Sequence, residues 1–327
     1  MERVHIALAA DENYFAGLLV TACSLAEHAA REVELVIHVI DGGIAGESWA
    51  KLERKLKALH PQVALDRIGL PSLAEGVVFR SLPVYRGNTM TYARLALPWV
   101  LADVEFCIYC DVDFLWLADV AEVWREADPN DLFLGVAEAC SDSLDPEETW
   151  CAEHSVPFHR DRYVCAGFSF YNLKRALEAK LAERTIEFLQ RHPDAPFVDQ
   201  SAVNAVLDGE VRLLDEKWER LSVALKGVKP RRDFVLHYAG DVPWRLDQPS
   251  SVLSDAALLW YRHYARYADI TTDEALRKFL SAKKRILGRL YWHLIRRSFT
   301  RKAFFALLTL AGHRKCQREM EKRGEKV

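Results

Sequence analysis

The sequence predicts an α/β protein built on a largely parallel sheet, and three observations predict it. Short apolar runs alternate with helical stretches from Val4 to Ala137, and strands alternating with helices join through parallel crossovers. The chain is 50% hydrophobic over 327 residues, enough to bury a substantial core. Aromatics at 11%, with few Gly and Pro, argue against disorder.

The elements follow in order. Val4–Ala9 reads as a buried strand, Phe15–His28 as a helix, Leu35–Ile40 as a strand, Glu47–Leu59 as a helix and Val63–Ile68 as a third strand. Thr91–Leu101 looks helical. Phe106–Cys110 is an apolar strand that ends at Asp111-Val112-Asp113. Ala118–Ala127 is a short helix and Leu132–Ala137 a strand. Cys140–Arg162 is polar and irregular, as suits an excursion over a site, and with Glu138 it is a candidate contact for an acceptor. Val164–Asn172 is a strand, Arg175–Arg191 one helix and Phe197–Leu207 another. Val211–Leu214 and Phe234–Tyr238 are short strands, and Asp255–Tyr267 is helical.

Charge divides the chain. From Arg277 to the end there are 16 Lys+Arg against 3 Glu, a local +13, and since the chain totals −3 the rest carries −16. Ile286, Leu287, Leu290, Tyr291, Leu294 and Ile295 form a helical apolar stripe, with Arg285, Arg289 and Arg296 opposite. No acid interrupts the run from Arg277 to Arg318, which favours an anionic membrane surface over an ordinary packed helix; no nucleic-acid partner is expected. The division expected is a catalytic domain over 1–270 and a basic amphipathic tail over 271–327. Met1–Leu8 lacks a long apolar run, so no signal peptide is expected. Seven dispersed cysteines are no disulfide framework, and Cys107 and Cys110 on one strand face opposite sides, which reads as structural burial. The expected location is the cytoplasm, at the inner face of the membrane.

Asp111 and Asp113 carry the strongest chemical signal. Two carboxylates two residues apart, where a strand breaks into a loop, can turn toward one divalent cation, Mn²⁺ or Mg²⁺. Open α/β sheets bind ligands at that edge. His237 ends the strand Phe234–His237 and can complete the set if it faces the same edge; a lone His is more often structural than a ligand. The turn Ala10-Asp11-Glu12-Asn13-Tyr14 has neither a GxGxxG nor a Walker motif, which disfavours dinucleotide-binding and P-loop proteins. Asp11, Asn13 and Tyr14 can hold a base and ribose, and Asp11 or Asn13 suits a helix cap equally well.

These pieces, taken in order, resemble the family 8 retaining glycosyltransferases, the group of glycogenin and the bacterial lipopolysaccharide galactosyl- and glucosyltransferases. The resemblance runs from the first strand to about Trp244. It rests on Ala9–Tyr14, Thr91-Tyr92-Ala93-Arg94-Leu95, Tyr109–Asp113, Ala166-Gly167, Val198-Asp199-Gln200-Ser201, and His237-Tyr238-Ala239-Gly240 with Pro243-Trp244. It implies a GT-A fold, a UDP-hexose donor, a carbohydrate or lipid-linked oligosaccharide acceptor, and Mn²⁺ on Asp111, Asp113 and His237. It places Ala9, Asp11, Asn13 and Tyr14 on uridine and ribose, with Val112, Cys165, Ala166 and Gly167 also along the nucleotide-sugar. Arg94 falls by the donor sugar, Asp199 and Gln200 beside its anomeric carbon, and Gly240 near the diphosphate. Two departures stand out: Cys165 replaces the usual Asn, and no Lys follows Gly240, where Arg245 is a substitute. They leave glucose and galactose unresolved and keep open a non-catalytic sugar- or membrane-binding relative. A phosphatase of haloacid-dehalogenase type also uses DxD, but on its first core strand with Thr or Val after it; here Phe114 follows and several strands precede.

Overall fold

The computed structural model describes residues 2–69, 82, 90–138, 144–222, 233–240, 242–245 and 255–281. The chain divides into two units, residues 1–221 with 231–238, and residues 222–230 with 239–327.

The first unit begins β1 (Glu2–Ala10), α1 (Phe15–His28), β2 (Val33–Asp41), α2 (Gly46–Leu59) and β3 (Val63–Gly69). A 3-10 stretch (Met90–Ala96) leads into α3 (Leu97–Val100), then β4 (Phe106–Cys110), β5 (Phe114–Trp116), α4 (Val120–Trp124), β6 (Phe133–Ala137) and α5 (Leu144–His154). There follow β7 (Val164–Asn172), α6 (Leu173–Glu178), α7 (Leu181–Arg191), α8 (Asp199–Leu207), β8 (Arg212–Leu213), β9 (Arg220–Leu221) and β10 (Val235–His237).

Seven strands form one sheet in the order β3-β2-β1-β4-β7-β6-β8. All its pairings are parallel except those of β7, which runs against both β4 and β6. All nine residues of β7 are buried, as an interior strand covered on both faces requires. The chain builds outward from β1 through β2 to β3, then returns to place β4 on the other side of β1. That reversal opens a crevice at the carboxyl ends of β1 and β4, where ligands bind in such sheets. It sets Ala9–Tyr14 one strand away from Asp111–Asp113.

A second sheet, β5-β10-β9, carries the other half of the site. β10 pairs antiparallel with β5, His237 opposite Phe114, and parallel with β9, His237 opposite Leu221. α1 ties β5 down: Thr21 Oγ1 lies 2.8 Å from both Val112 O and Phe114 O, and Trp116 N donates to Ser24 Oγ at 3.0 Å. Thr21 and Ser24 are fully buried and satisfy backbone groups that the break after β4 would leave unpaired.

The structure departs from the sequence reading in four places. Thr91–Leu101 is a 3-10 stretch followed by a short α-helix, because Pro98 suits a helix start and not its interior. Arg175–Arg191 is two helices, since Lys180 sits in the left-handed region at φ 51° between α6 and α7. Within Cys140–Arg162, where irregular chain was expected, α5 forms; it buries Leu144, Glu147, Trp150 and Cys151 at helical spacing. Strands β5 and β9, the two edges of the second sheet, have no counterpart in the sequence reading.

In the second unit a 3-10 turn (Pro243–Arg245) is followed by α9 (Asp255–Ala268) and α10 (Thr272–Phe279). Phe279 packs edge-on against Trp260 and Tyr264, joining the two helices across residue 270. Thr271 and Glu274 form a capping box that starts α10. The apolar stripe Ile286–Ile295 lies outside the described residues. Among the described residues no helix is long and apolar enough to cross a membrane.

Candidate active site

Asp111 leaves β4 with its backbone N–H donating to Gly167 O at 2.9 Å, so the DxD turn stays attached to β7. Two residues on, Asp113 O accepts from Tyr238 N at 2.9 Å, which fastens the turn to the end of β10. The candidate ligand atoms of Asp111, Asp113 and His237 consequently lie within 4.8 Å of one another. His237 Nε2 faces Asp113 Oδ1 at 3.3 Å, yet that oxygen is buried and makes no hydrogen bond. A buried carboxylate oxygen with no donor, beside a second carboxylate and an imidazole, is a donor set suited to a divalent cation. The residues present therefore fit Mn²⁺ or Mg²⁺.

His237 is positioned from behind. Its Nδ1 pairs with Glu219 Oε1 at 2.7 Å, and its ring stacks on Phe114 at 4.2 Å. Carboxylates that hold the far nitrogen of a metal-binding histidine fix its tautomer and orientation. Burial opposes a charge on His237, but Asp113, Cys165 and Glu219 outweigh it and raise its pKa. Burial raises Glu219, against the pull of His237. Gly167 makes room for the ring: a Cβ there would lie 2.7 Å from His237 Cε1.

Arg94 organises the other side. It is 4% exposed and reaches Asp111 Oδ1 through Nη2 at 2.7 Å, Asp199 Oδ2 through Nε at 3.1 Å, and the carbonyl of Ala166 through Nη1. Its guanidinium lies over the Tyr109 ring at 4.7 Å, and the Tyr109 hydroxyl donates to Asp111 Oδ1 at 2.9 Å. One planar cation with several fixed donors can join two carboxylates in this way, as a lysine cannot. Burial raises the pKa of both Asp111 and Asp199, and Arg94 opposes the rise in each.

Val198, at φ 46° and ψ −110°, sets up α8. This is a conformation a β-branched residue seldom adopts, at a cost of about 1–3 kcal/mol. It turns the chain so that Asp199 and Gln200 open the helix toward Arg94 and β7. Asp199 has both oxygens engaged, Oδ1 by the Thr91 hydroxyl at 2.8 Å and Oδ2 by Arg94. Gln200 Oε1 accepts from Ala166 N at 3.0 Å, and its Nε2 donates to Glu138 Oε2 at 3.4 Å.

The structure thus brings together Arg94, Asp111, Asp113, Cys165, Ala166, Gly167, Asp199, Gln200 and His237. Val112 is buried, with its carbonyl on Thr21. At the end of β1, Asp11 caps the turn Glu12–Tyr14, accepting from Tyr14 N at 3.0 Å, and Asn13 Nδ2 donates to its other oxygen at 3.3 Å. Asn13 is exposed and Tyr14 half-buried. Ala9 is at the same strand end. Gly42 adjoins both Asp11 and Met90, since a Cβ there would meet Asp11 Cβ at 3.2 Å and Met90 Sδ at 2.8 Å. Gly240 belongs to the second unit, where φ of +79° favours glycine, as does Arg245. Sequence reasoning missed Glu219, and it quoted Thr91 and Tyr109 as motif residues without giving either a role. Cys107 and Cys110 are buried free thiols.

A mixed sheet with its carboxylate pair at the β1–β4 crevice is the architecture of GT-A glycosyltransferases, and solved structures of that class match it. WbbM, a bifunctional glycosyltransferase, aligns with a TM-score of 0.70 at 19% identity, over 86% of this chain and 52% of its own, so this chain spans about half of WbbM. The galactosyltransferase LgtC in complex with donor and acceptor sugar analogues aligns with a TM-score of 0.62 at 22% identity, over 87% of this chain and 100% of its own. General stress protein A of Bacillus subtilis is 23% identical over 83% of this chain and 96% of its own length. Probable galacturonosyltransferase-like 8 of Arabidopsis thaliana is 22% identical over 85% and 76%. The family described as Glycosyl transferase family 8 matches residues 5–247, and the chain belongs to it.

Proposed function

We propose that this protein is a retaining glycosyltransferase that moves a hexose, glucose or galactose, from a UDP-sugar to a carbohydrate acceptor in lipopolysaccharide, lipooligosaccharide or another glycan. The observation that carries the reading is the clustering of Asp111, Asp113 and His237, whose candidate ligand atoms lie within 4.8 Å of one another, with the buried Asp113 Oδ1 making no hydrogen bond. LgtC, solved with donor and acceptor sugar analogues, supports it.

Asp111, Asp113 and His237 would hold the metal. When bound, a divalent cation supplies positive charge that neutralises the diphosphate of the departing UDP. The protein's own residues orient and stabilise. Arg94 holds Asp111 in place, and its charge adds to the field at the leaving group. The C1–O bond to the β-phosphate breaks with its electron pair leaving on UDP. The acceptor hydroxyl attacks C1 from the leaving-group face, and its proton passes to a β-phosphate oxygen, so configuration is retained. Gln200, its amide fixed by Ala166 and Glu138, presents a carbonyl dipole to the positive charge developing on the sugar. Asp199, buried and bound at both oxygens, suits a positioning role better than that of a nucleophile.

The test is UDP release and product analysis with UDP-glucose, UDP-galactose and UDP-galacturonic acid across an acceptor panel. Retention by NMR with one hexose donor, and measurable transfer by Asp199→Asn, are expected. Inverted product, or complete loss of transfer in Asp199→Asn together with a glycosyl-enzyme trapped on Asp199 of the wild type, would contradict the route.

A further inference from the structure

His237 has acidic neighbours on both sides, and only one side belongs to the Asp111–Asp113 pair. Nε2 looks toward Asp113; Nδ1 looks toward Glu219. Cys165 joins the Glu219 side, and candidate ligand atoms of Cys165, Glu219 and His237 all lie within 4.8 Å of one another. All three residues are buried, at 8%, 3% and 4% exposure. The second oxygen of Glu219, Oε2, is buried and makes no hydrogen bond. A buried acceptor left unmet is destabilising, and a cation bound beside it would satisfy it.

The donor chemistry differs from that of the neighbouring pair. Two carboxylates and an imidazole suit a hard cation, whereas a thiolate with imidazole and carboxylate selects a softer one. We propose that Cys165, Glu219 and His237 form a second metal site for a thiophilic divalent cation such as Zn²⁺, which shares His237 with the Asp111–Asp113 site and antagonises it. On binding, the Cys165 thiol gives its proton to solvent and a metal–sulfur bond forms. His237 Nδ1 gives up to solvent the proton it shares with Glu219 and takes a bond to the metal, and the neutral ring carries its remaining proton on Nε2. Ligand bonds to Zn²⁺ run about 2.0–2.3 Å, which asks the 2.7 Å His237–Glu219 contact to open slightly. The antagonism follows from two causes. The Glu219 bond that aims Nε2 at Asp113 is lost. With Nδ1 on the metal, the ring also holds its proton on Nε2, where it faces Asp113 at 3.3 Å and denies the first cation its nitrogen ligand.

The test uses the full reduced chain without any sugar nucleotide, so its outcome is independent of whether the transferase reading holds. Co²⁺ serves as a coloured stand-in for Zn²⁺. Wild type is expected to develop a thiolate-to-cobalt charge-transfer band that saturates near one equivalent and is erased by Zn²⁺. Cys165→Ser loses the band, Cys151→Ser keeps it, and Glu219→Gln weakens Co²⁺ binding by about tenfold or more. In parallel, free Mn²⁺ is followed by electron paramagnetic resonance. One equivalent of Zn²⁺ weakens Mn²⁺ binding by about tenfold in wild type and leaves Cys165→Ser unaffected. No charge-transfer band in wild type overturns the site, and so does the same band in Cys165→Ser. Equal loss of Mn²⁺ binding in both proteins overturns the antagonism. Should Cys165→Ser fail to fold by circular dichroism, Cys165→Ala and the wild-type spectrum decide the matter.

Discussion

Replacing Gly167 by alanine is the sharpest steric perturbation of the site. The added Cβ would lie 2.7 Å from His237 Cε1 and 3.2 Å from Nε2, whereas ordinary contact begins at 3.4 Å. The ring must therefore retreat by 0.7 Å. It is not free to do so: Nδ1 is held at 2.7 Å by Glu219, and the face is stacked on Phe114 at 4.2 Å. His237 also sits on the middle strand of a three-stranded sheet. Forcing one carbon into such a site costs about 1–3 kcal/mol. A shift of 0.7 Å also exceeds the roughly 0.2 Å tolerance of metal–ligand distances, so Mn²⁺ affinity should fall about 10–100-fold. Calorimetric unfolding reads the first effect and Mn²⁺ titration the second. Gly46→Ala is the control, since a Cβ there meets nothing within 4 Å. Unchanged unfolding and Mn²⁺ affinity within twofold of wild type in Gly167→Ala would refute the reasoning.

Arg94→Met leaves the buried Asp199 and the half-buried Asp111 without their shared cation; the expected loss is about 3 kcal/mol in chemical unfolding, and a loss under about 1 kcal/mol would contradict the assigned role. His5 on β1 bonds His38 on β2 at 3.0 Å, and His38 bonds Asp66 on β3 at 3.0 Å. Burial, with the neighbouring His38 and Arg3 charges, lowers His5 to about 4, and burial lowers His38 despite Asp66. Both fold with pKa values below the ordinary 6.5, so the unfolded chain takes up protons first and stability is lost as pH falls from 6.5 toward 4. His5→Gln should flatten that slope in unfolding measured across the window, and a parallel slope would count against it. We propose that the basic tail docks the protein on anionic membrane, a reading that rests on its charge. Deleting residues 277–327 should abolish binding to anionic vesicles while sparing nucleotide binding, and undiminished vesicle binding would end the idea.

The frame was legible because its signals are one-dimensional. A strand buried on both faces must be a continuous apolar run, and Val164–Asn172 was read to the residue. Helix α1 was equally plain, bounded by the polar turn Asp11–Asn13 and by His28. Asp111, Asp113 and His237 could be picked out as candidates because each follows or ends such a strand. What stayed hidden depends on pairing. Glu219 lies in the polar run Asp215–Arg220 and looks like a surface acid. Only the parallel pairing of two-residue β9 with β10 brings it to His237, and two residues carry no period. The stripe of α5 was masked because one of its four buried positions is Glu147, whose carboxylate accepts from the Ser201 hydroxyl at 3.0 Å. The break between α6 and α7 has no Gly or Pro to announce it; Lys180 takes the left-handed turn instead.

Metal binding by Asp111, Asp113 and His237 in the service of sugar transfer underlies the proposed function. It is tested most directly by measuring UDP release from a panel of UDP-sugars, with Mn²⁺ or with EDTA, for wild type and Asp111→Ala. Mn²⁺-dependent release from one UDP-hexose, abolished by EDTA and by the substitution, is expected. Release that is unaffected by EDTA and equal in Asp111→Ala, or no binding of any UDP compound by the wild type, would contradict it.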